Sequence, residues 1–201
     1  MTSIAFDIVL RPSSKLADLA YAVSANLKDK HTYFALKEGK YYVHASLYMV
    51  QLDIDRIESV KKLLQELART TKSVKLIAKE FHQEGGYFDV EYERNEIIDG
   101  IQNRIIGLIN PLRDGLRKKD EERIKTATGM ELENLQKYGY RSIGSEFAPH
   151  ITFTRFVEVG TKQNINNDLR EFDGDFTSIG LFEMGDNGTC VRKLLEIPLG
   201  Q

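Results

Sequence analysis

Two heptapeptides decide how this chain reads: Tyr42-Val43-His44-Ala45-Ser46-Leu47-Tyr48 and Ala148-Pro149-His150-Ile151-Thr152-Phe153-Thr154. Both contain His-x-(Ser/Thr)-apolar. Side chains alternate along a strand, so His44 and Ser46 share one face, as do His150 and Thr152. The other faces carry Val43, Ala45, Leu47 and Met49 in the first strand, and Pro149, Ile151 and Phe153 in the second. Each strand is thus expected to pack an apolar face on a core and present an imidazole and a hydroxyl opposite. Tyr48 and Thr154, at the next alternate positions, are expected to extend those polar faces as possible cleft contacts.

Histidine serves as general acid or base near neutral pH, because its ordinary pKa lies there. A hydroxyl two residues on can donate to a non-bridging phosphate oxygen as charge builds. Two such pairs would surround one phosphate without a metal. The competing reading of the same residues is structural: two histidines tied into the fold.

Working outward, the chain has 201 residues, 41% of them hydrophobic and 29% charged, enough for a self-sufficient core. Lys+Arg is 28 against Asp+Glu 30, so no strong basic field draws nucleic acid non-specifically. Contact with nucleic acid is therefore expected to be local, at an end or a single nucleotide. The single cysteine, Cys190, excludes an intrachain disulfide and a thiolate zinc cage. Met1 to Asp7 has neither the basic nor the apolar region of a secretory signal, and no apolar run spans a bilayer. A cytoplasmic protein is the expectation.

Strands are expected at Ser3–Leu10, Lys40–Leu52, Val74–Phe81, Tyr87–Glu93, Phe147–Val157, Phe176–Phe182 and Cys190–Ile197. His82 to Gly86 reads as a hairpin connection. Helices are expected after Ser13 or Ser14, after Asp53 or Asp55, and after Asn95. The last carries Ile98, Ile101, Ile105, Leu108 and Leu112 as its buried line, and Pro111 ends or kinks it. Ile165, Leu169 and Phe172 suggest a short helix. Mixed charges over Arg113–Lys125 read as a solvated helix face, and Cys190 as a buried apolar filler. Interleaved strands and helices with hairpins argue against a doubly wound parallel sheet, and no GxGxxG or P-loop lysine is present.

With these residues in view, the chain resembles the 2H phosphoesterase superfamily, which includes 2′-5′ RNA ligase-like proteins and cyclic phosphodiesterases. Its two motifs match His44-Ala45-Ser46-Leu47 and His150-Ile151-Thr152-Phe153, the second preceded by Pro149. The resemblance implies an α+β fold: two pseudo-twofold-related lobes of largely antiparallel sheet, helices outside, and the motifs facing across a central cleft. It covers nearly all of a single domain, 1–201. About 114–145 is left as an expanded connection, expected to be an extra surface helix. The resemblance further implies hydrolysis of a 2′,3′-cyclic phosphate or related phosphodiester on an RNA 3′ end or small nucleotide. His44 and His150 would be the acid/base pair, and Ser46 and Thr152 the phosphate ligands. No metal, cofactor or membrane is expected, and the chain is expected to be a monomer. The alternative is a non-catalytic nucleotide-binding module using the same cleft. A metal hydrolase is the weakest reading, because no motif such as HExxH is present.

Overall fold

The computed structural model describes residues 2–28 and 30–200. Its strands are β1 (Ser3–Pro12), β2 (Ala45–Asp53), β3 (Val74–Leu76), β4 (Ala78–Glu84), β5 (Tyr87–Tyr92), β6 (His150–Arg155), β7 (Gly174–Met184) and β8 (Cys190–Pro198). Its helices are α1 (Ser14–Leu27), α2 (Ile57–Arg69), α3 (Glu96–Ile109), α4 (Lys118–Arg123) and α5 (Gly129–Tyr138). One sheet runs β2-β1-β7-β3, with β8 also on β7; the other runs β4-β5-β6. Every pairing is antiparallel. The α+β architecture of two antiparallel sheets with helices is the expected one. β1 is an interior strand between β2 and β7, and Asp7 and Val9 on one face are as buried as Phe6 and Ile8 on the other.

Several boundaries differ from expectation, each for an identifiable reason. The chain around Val74–Phe81 is two strands in different sheets, not one. It crosses at Ile77, where Asp173 Oδ1 accepts from the Ala78 N–H at 2.8 Å. His82, Gln83 and Glu84 lie within β4, and the turn is only Gly85-Gly86. Both have positive φ (57° and 84°), as the right-handed twist of a two-residue hairpin favours. Asn95 does cap α3, its Oδ1 accepting from the N–H groups of Ile97 and Ile98. The helix stops at Ile109 and Pro111 sits in a 3-10 turn, as expected of that proline, but the buried line differs. Leu108 is consequently exposed, and Ile106 and Ile109 take its place inside. Leu169–Phe172 is a 3-10 turn rather than a longer helix.

One irregularity occurs twice. In β2, Ser46 pairs with Val9 and Tyr48 with Ile8, leaving Leu47 as an extra residue. In β6, Thr152 pairs with Asp89 and Thr154 with Phe88, leaving Phe153 as an extra residue. Each histidine motif therefore carries a β-bulge at its apolar fourth position. A bulged carbonyl needs a partner when buried. Ser24 of α1 donates to Phe153 O at 2.6 Å, and Gln102 of α3 donates to Leu47 O at 3.0 Å and to Ser142 O at 2.9 Å. Ser24 is fully buried and Gln102 nearly so. Each helix thus anchors one motif strand.

Replacing Gln102 by Leu should leave the Leu47 carbonyl buried without a partner. A loss of about 1–3 kcal/mol is expected, read as a lower urea midpoint at unchanged m-value. An unchanged midpoint would show that the bulge does not depend on this bond.

Candidate active site

His44 lies one residue before β2, not inside a strand as expected, while His150 opens β6. The backbone ahead of His44 is held by other partners. Tyr42 N–H donates to Cys190 O, Tyr42 O faces the His44 ring, and Val43 O accepts from the Arg11 guanidinium. With these groups engaged, the ladder cannot extend to residue 42.

The two imidazoles are held alike. His44 Nδ1 is 2.8 Å from Tyr42 O, and His150 Nδ1 is 2.8 Å from Ala148 O. A carbonyl can only accept, so each Nδ1 carries the proton and each Nε2 keeps its lone pair. This repeated i to i−2 bond fixes the tautomer that acid–base work at Nε2 requires. The charge of His150 bears on His44 and on Asp7, which joins the two half-sites electrostatically.

Asp7 is the group that strand alternation alone did not flag. It is fully buried on β1 and accepts from Ser46 Oγ at 2.6 Å, and its Oδ2 lies 3.6 Å from His44 Nε2. Burial drives its carboxyl up to about 7, against the Ser46 hydrogen bond and the positive charges of Arg117 and His150. Burial likewise drives His44 down to about 4, opposed by the Tyr42 carbonyl and assisted by the charges of Arg11 and His150. At neutral pH the site therefore holds a neutral His44 above a carboxyl that is readily protonated. The only available signal for Asp7 was its acidic character amid the apolar run Ile4–Leu10.

The other expected residues divide. Ser46 is buried on Asp7, whereas Thr152 is half-exposed opposite Asp89 on β5. Tyr48 and Thr154 do not extend the cleft faces, since both are fully buried. The bulges break the alternation just before them. The Tyr48 hydroxyl lies 2.7 Å from Tyr138 O and 2.9 Å from Asn110 Oδ1, while Thr154 Oγ1 donates to Phe34 O. Tyr42 packs on Phe182 with ring centroids 5.0 Å apart. Cys190 is buried as expected, but its sulfur lies in the site floor with Asp7 and His44.

The connection 114–145 also departs from the surface reading. Arg117 and Asp120 are buried, and Arg123 reaches the same Asp120 carboxylate. Arg117 lies over the Tyr140 ring at 5.6 Å and its charge acts on Asp7. The alternating charges of Arg113–Lys125 gave no sign of this, because burial here comes from a distant strand and not from helical periodicity.

Asp7 and His44 act oppositely on stability. The raised Asp7 pKa makes its contribution greatest below about 4 and lost as pH rises through about 7; the lowered His44 pKa makes its own present above 6.5 and lost as pH falls through about 4. The two slopes largely cancel between pH 4 and 6.5. Asp7→Asn should remove one of them. Its stability should rise with pH over that window and exceed wild type at pH 8 by on the order of 2–4 kcal/mol. Denaturant melts at pH 4.5, 6 and 8 measure this, and a variant less stable than wild type at pH 8 would contradict the burial argument.

Comparison with solved structures places the fold. Over all of both chains, it is similar to Escherichia coli LigT in apo form, with a TM-score of 0.58 and 12% identity. It is similar to TT0787 of Thermus thermophilus at TM-score 0.61 and 12% identity, over 98% of each chain. A structure described as a phosphoesterase matches at TM-score 0.56 and 12% identity over all of both chains. LigT has also been crystallised with phosphate, 3′-AMP, ATP and NADP+. No curated protein matches. The fold is thus that of LigT and TT0787, the α+β architecture expected above. A family model matches residues 52–181, nearly two thirds of the sequence, and the chain belongs to the family it describes, "Protein of unknown function (DUF1045)".

Proposed function

We propose that this chain is a 2H-type phosphodiesterase that hydrolyses a 2′,3′-cyclic phosphate, or a related phosphodiester, on an RNA 3′ end or small nucleotide. The observation that carries this reading is the matched pair of imidazoles, each with Nδ1–H on the carbonyl two residues back and Nε2 left free. The complexes of LigT with phosphate and 3′-AMP support a nucleotide phosphate as the ligand of this fold.

The chemistry follows from the two environments. His44, neutral because buried, takes a proton from the attacking water at Nε2. Water oxygen bonds to phosphorus as the bond to the ribose oxygen breaks. His150, the more accessible imidazole, enters the cycle as the doubly protonated imidazolium, with Nδ1–H still on Ala148 O, and delivers its Nε2 proton to that leaving oxygen. Thr152 Oγ donates to a non-bridging phosphate oxygen. Ser46 can do the same once Asp7 is protonated: the Asp7 O–H then donates to Ser46 Oγ, and the serine proton turns to the phosphate. The charge of Arg117 adds to the attraction for an anion in the cleft. Acid–base exchange between two imidazoles completes this cycle without a metal. No helix among the described residues is long and apolar enough to cross a membrane, and a cytoplasmic monomer remains part of the proposal.

The test is hydrolysis of a short RNA ending in a 2′,3′-cyclic phosphate, in excess chelator, with the product isomer identified. His44→Ala and His150→Ala should each lower kcat by about 100-fold or more, and Thr152→Ala by about 10- to 100-fold, with folding retained. Full activity in either folded histidine variant would end the two-histidine reading. Nucleotide binding by calorimetry with no turnover would transfer the site to a sensor or scaffold role.

A further inference from the structure

Asp7 on β1, His44 before β2 and Cys190 at the start of β8 are distant in sequence, yet each offers a donor atom within 4.8 Å of the others. Asp7 and Cys190 are fully buried, and the His44 side chain is 11% exposed. Two features mark this cluster as a ligand set and not just a packed corner. First, Asp7 Oδ1 is buried without a hydrogen-bond partner, while Oδ2 is held by Ser46. An unpaired buried carboxylate oxygen is costly, and a cation bound by this carboxylate would offset that cost. Second, His44 is fixed in the ligand tautomer, with Nδ1 on the Tyr42 carbonyl and the Nε2 lone pair facing Asp7.

One donor pair stands at the spacing of a small tetrahedral ion, with the Cys190 sulfur within 4.8 Å. Zinc bonds of about 2.0–2.3 Å at tetrahedral angles place donors about 3.3–3.7 Å apart. The Asp7 Oδ2–His44 Nε2 separation is 3.6 Å. Thiolate with imidazole and carboxylate selects Zn2+ over Mg2+ or Ca2+, which take oxygen ligands.

We propose that Asp7, His44 and Cys190 form a Zn2+ site whose occupation switches the enzyme off. On binding, Cys190 loses its thiol proton to solvent and becomes the sulfur ligand. The fourth position opens to the cleft, for water or a phosphate oxygen. The inhibitory half rests on the function proposed above: a metal on His44 Nε2 occupies the lone pair that would accept the proton from water. The site itself stands independently of that function.

Co2+ supplies the direct readout. Titrated into chelator-stripped protein, it should give a near-ultraviolet thiolate-to-Co2+ charge-transfer band that saturates at one ion per chain and disappears on adding Zn2+. Cys190→Ser should abolish the band and weaken Zn2+ binding in calorimetry by at least 10-fold. If Cys190→Ser does not fold, Asp7→Asn must show the same weakening. No band, or equal Zn2+ affinity in wild type and the folded variant, would overturn the site. In the hydrolysis assay, Zn2+ should inhibit wild type, chelator should restore it, and Cys190→Ser should stay active and resist inhibition. Activation by Zn2+ would overturn the switch. A Co2+ band in a protein without hydrolysis would retire the proposed function and keep the site; hydrolysis without a band would do the reverse.

Discussion

Two buried side chains, Ser24 and Gln102, hold the carbonyls of the two bulged residues, and the geometry of the site depends on those bonds. A strand with unbroken alternation would place Tyr48 and Thr154 beside the histidine and hydroxyl of each motif. The bulge at Leu47 or Phe153 ends the alternation after the hydroxyl residue and turns the following side chain inward. The polar face of each motif is therefore two residues long. The arrangement also ties each motif strand to one helix, β2 to α3 and β6 to α1, so that packing of the helices sets where the imidazoles stand.

The floor beneath the first motif is energetically unusual. Asp7 is fully buried, with one carboxylate oxygen on Ser46 and the other without a partner. Burying such a group is tolerated when its charge is suppressed or matched. Both devices are present: the carboxyl is driven toward protonation, and Arg117 supplies positive charge from the connection over residues 114–145. Arg117 is itself held by Asp120, which Arg123 shares. The electrostatics of the floor thus extend into a segment whose sequence resembles solvent-facing helix. The same floor brings together three donors suited to a borderline-soft cation, so the proposed acid–base chemistry and the proposed metal site would share one nitrogen, His44 Nε2.

Much of this was legible in the chain itself. The two His-x-(Ser/Thr)-apolar stretches, with apolar residues on alternate positions, identified the paired imidazoles, because strand alternation is a local property, and the family resemblance they carry implied the antiparallel α+β fold. Asn95 as a helix cap was legible for the same reason. The failures occurred where distant segments decide. Val74–Phe81 reads as one strand, but Asp173 redirects the backbone at Ala78. Leu108 fits the helical stripe of α3, but Ile109 and Pro111 end the helix where the stripe would continue.

The sequence by itself determined which residue types carry the proposed chemistry, and that each sits at or beside a strand with a hydroxyl two residues on, since period and residue identity suffice for that. Only the tertiary structure decided what surrounds them. It placed Asp7 under Ser46, Cys190 beside His44, and Arg117 over the same floor, from positions 7, 190 and 117. The physical reason is that burial and charge proximity, which set the protonation of His44 and the missing partner of Asp7, are sums over neighbours in space, and no local spacing records them.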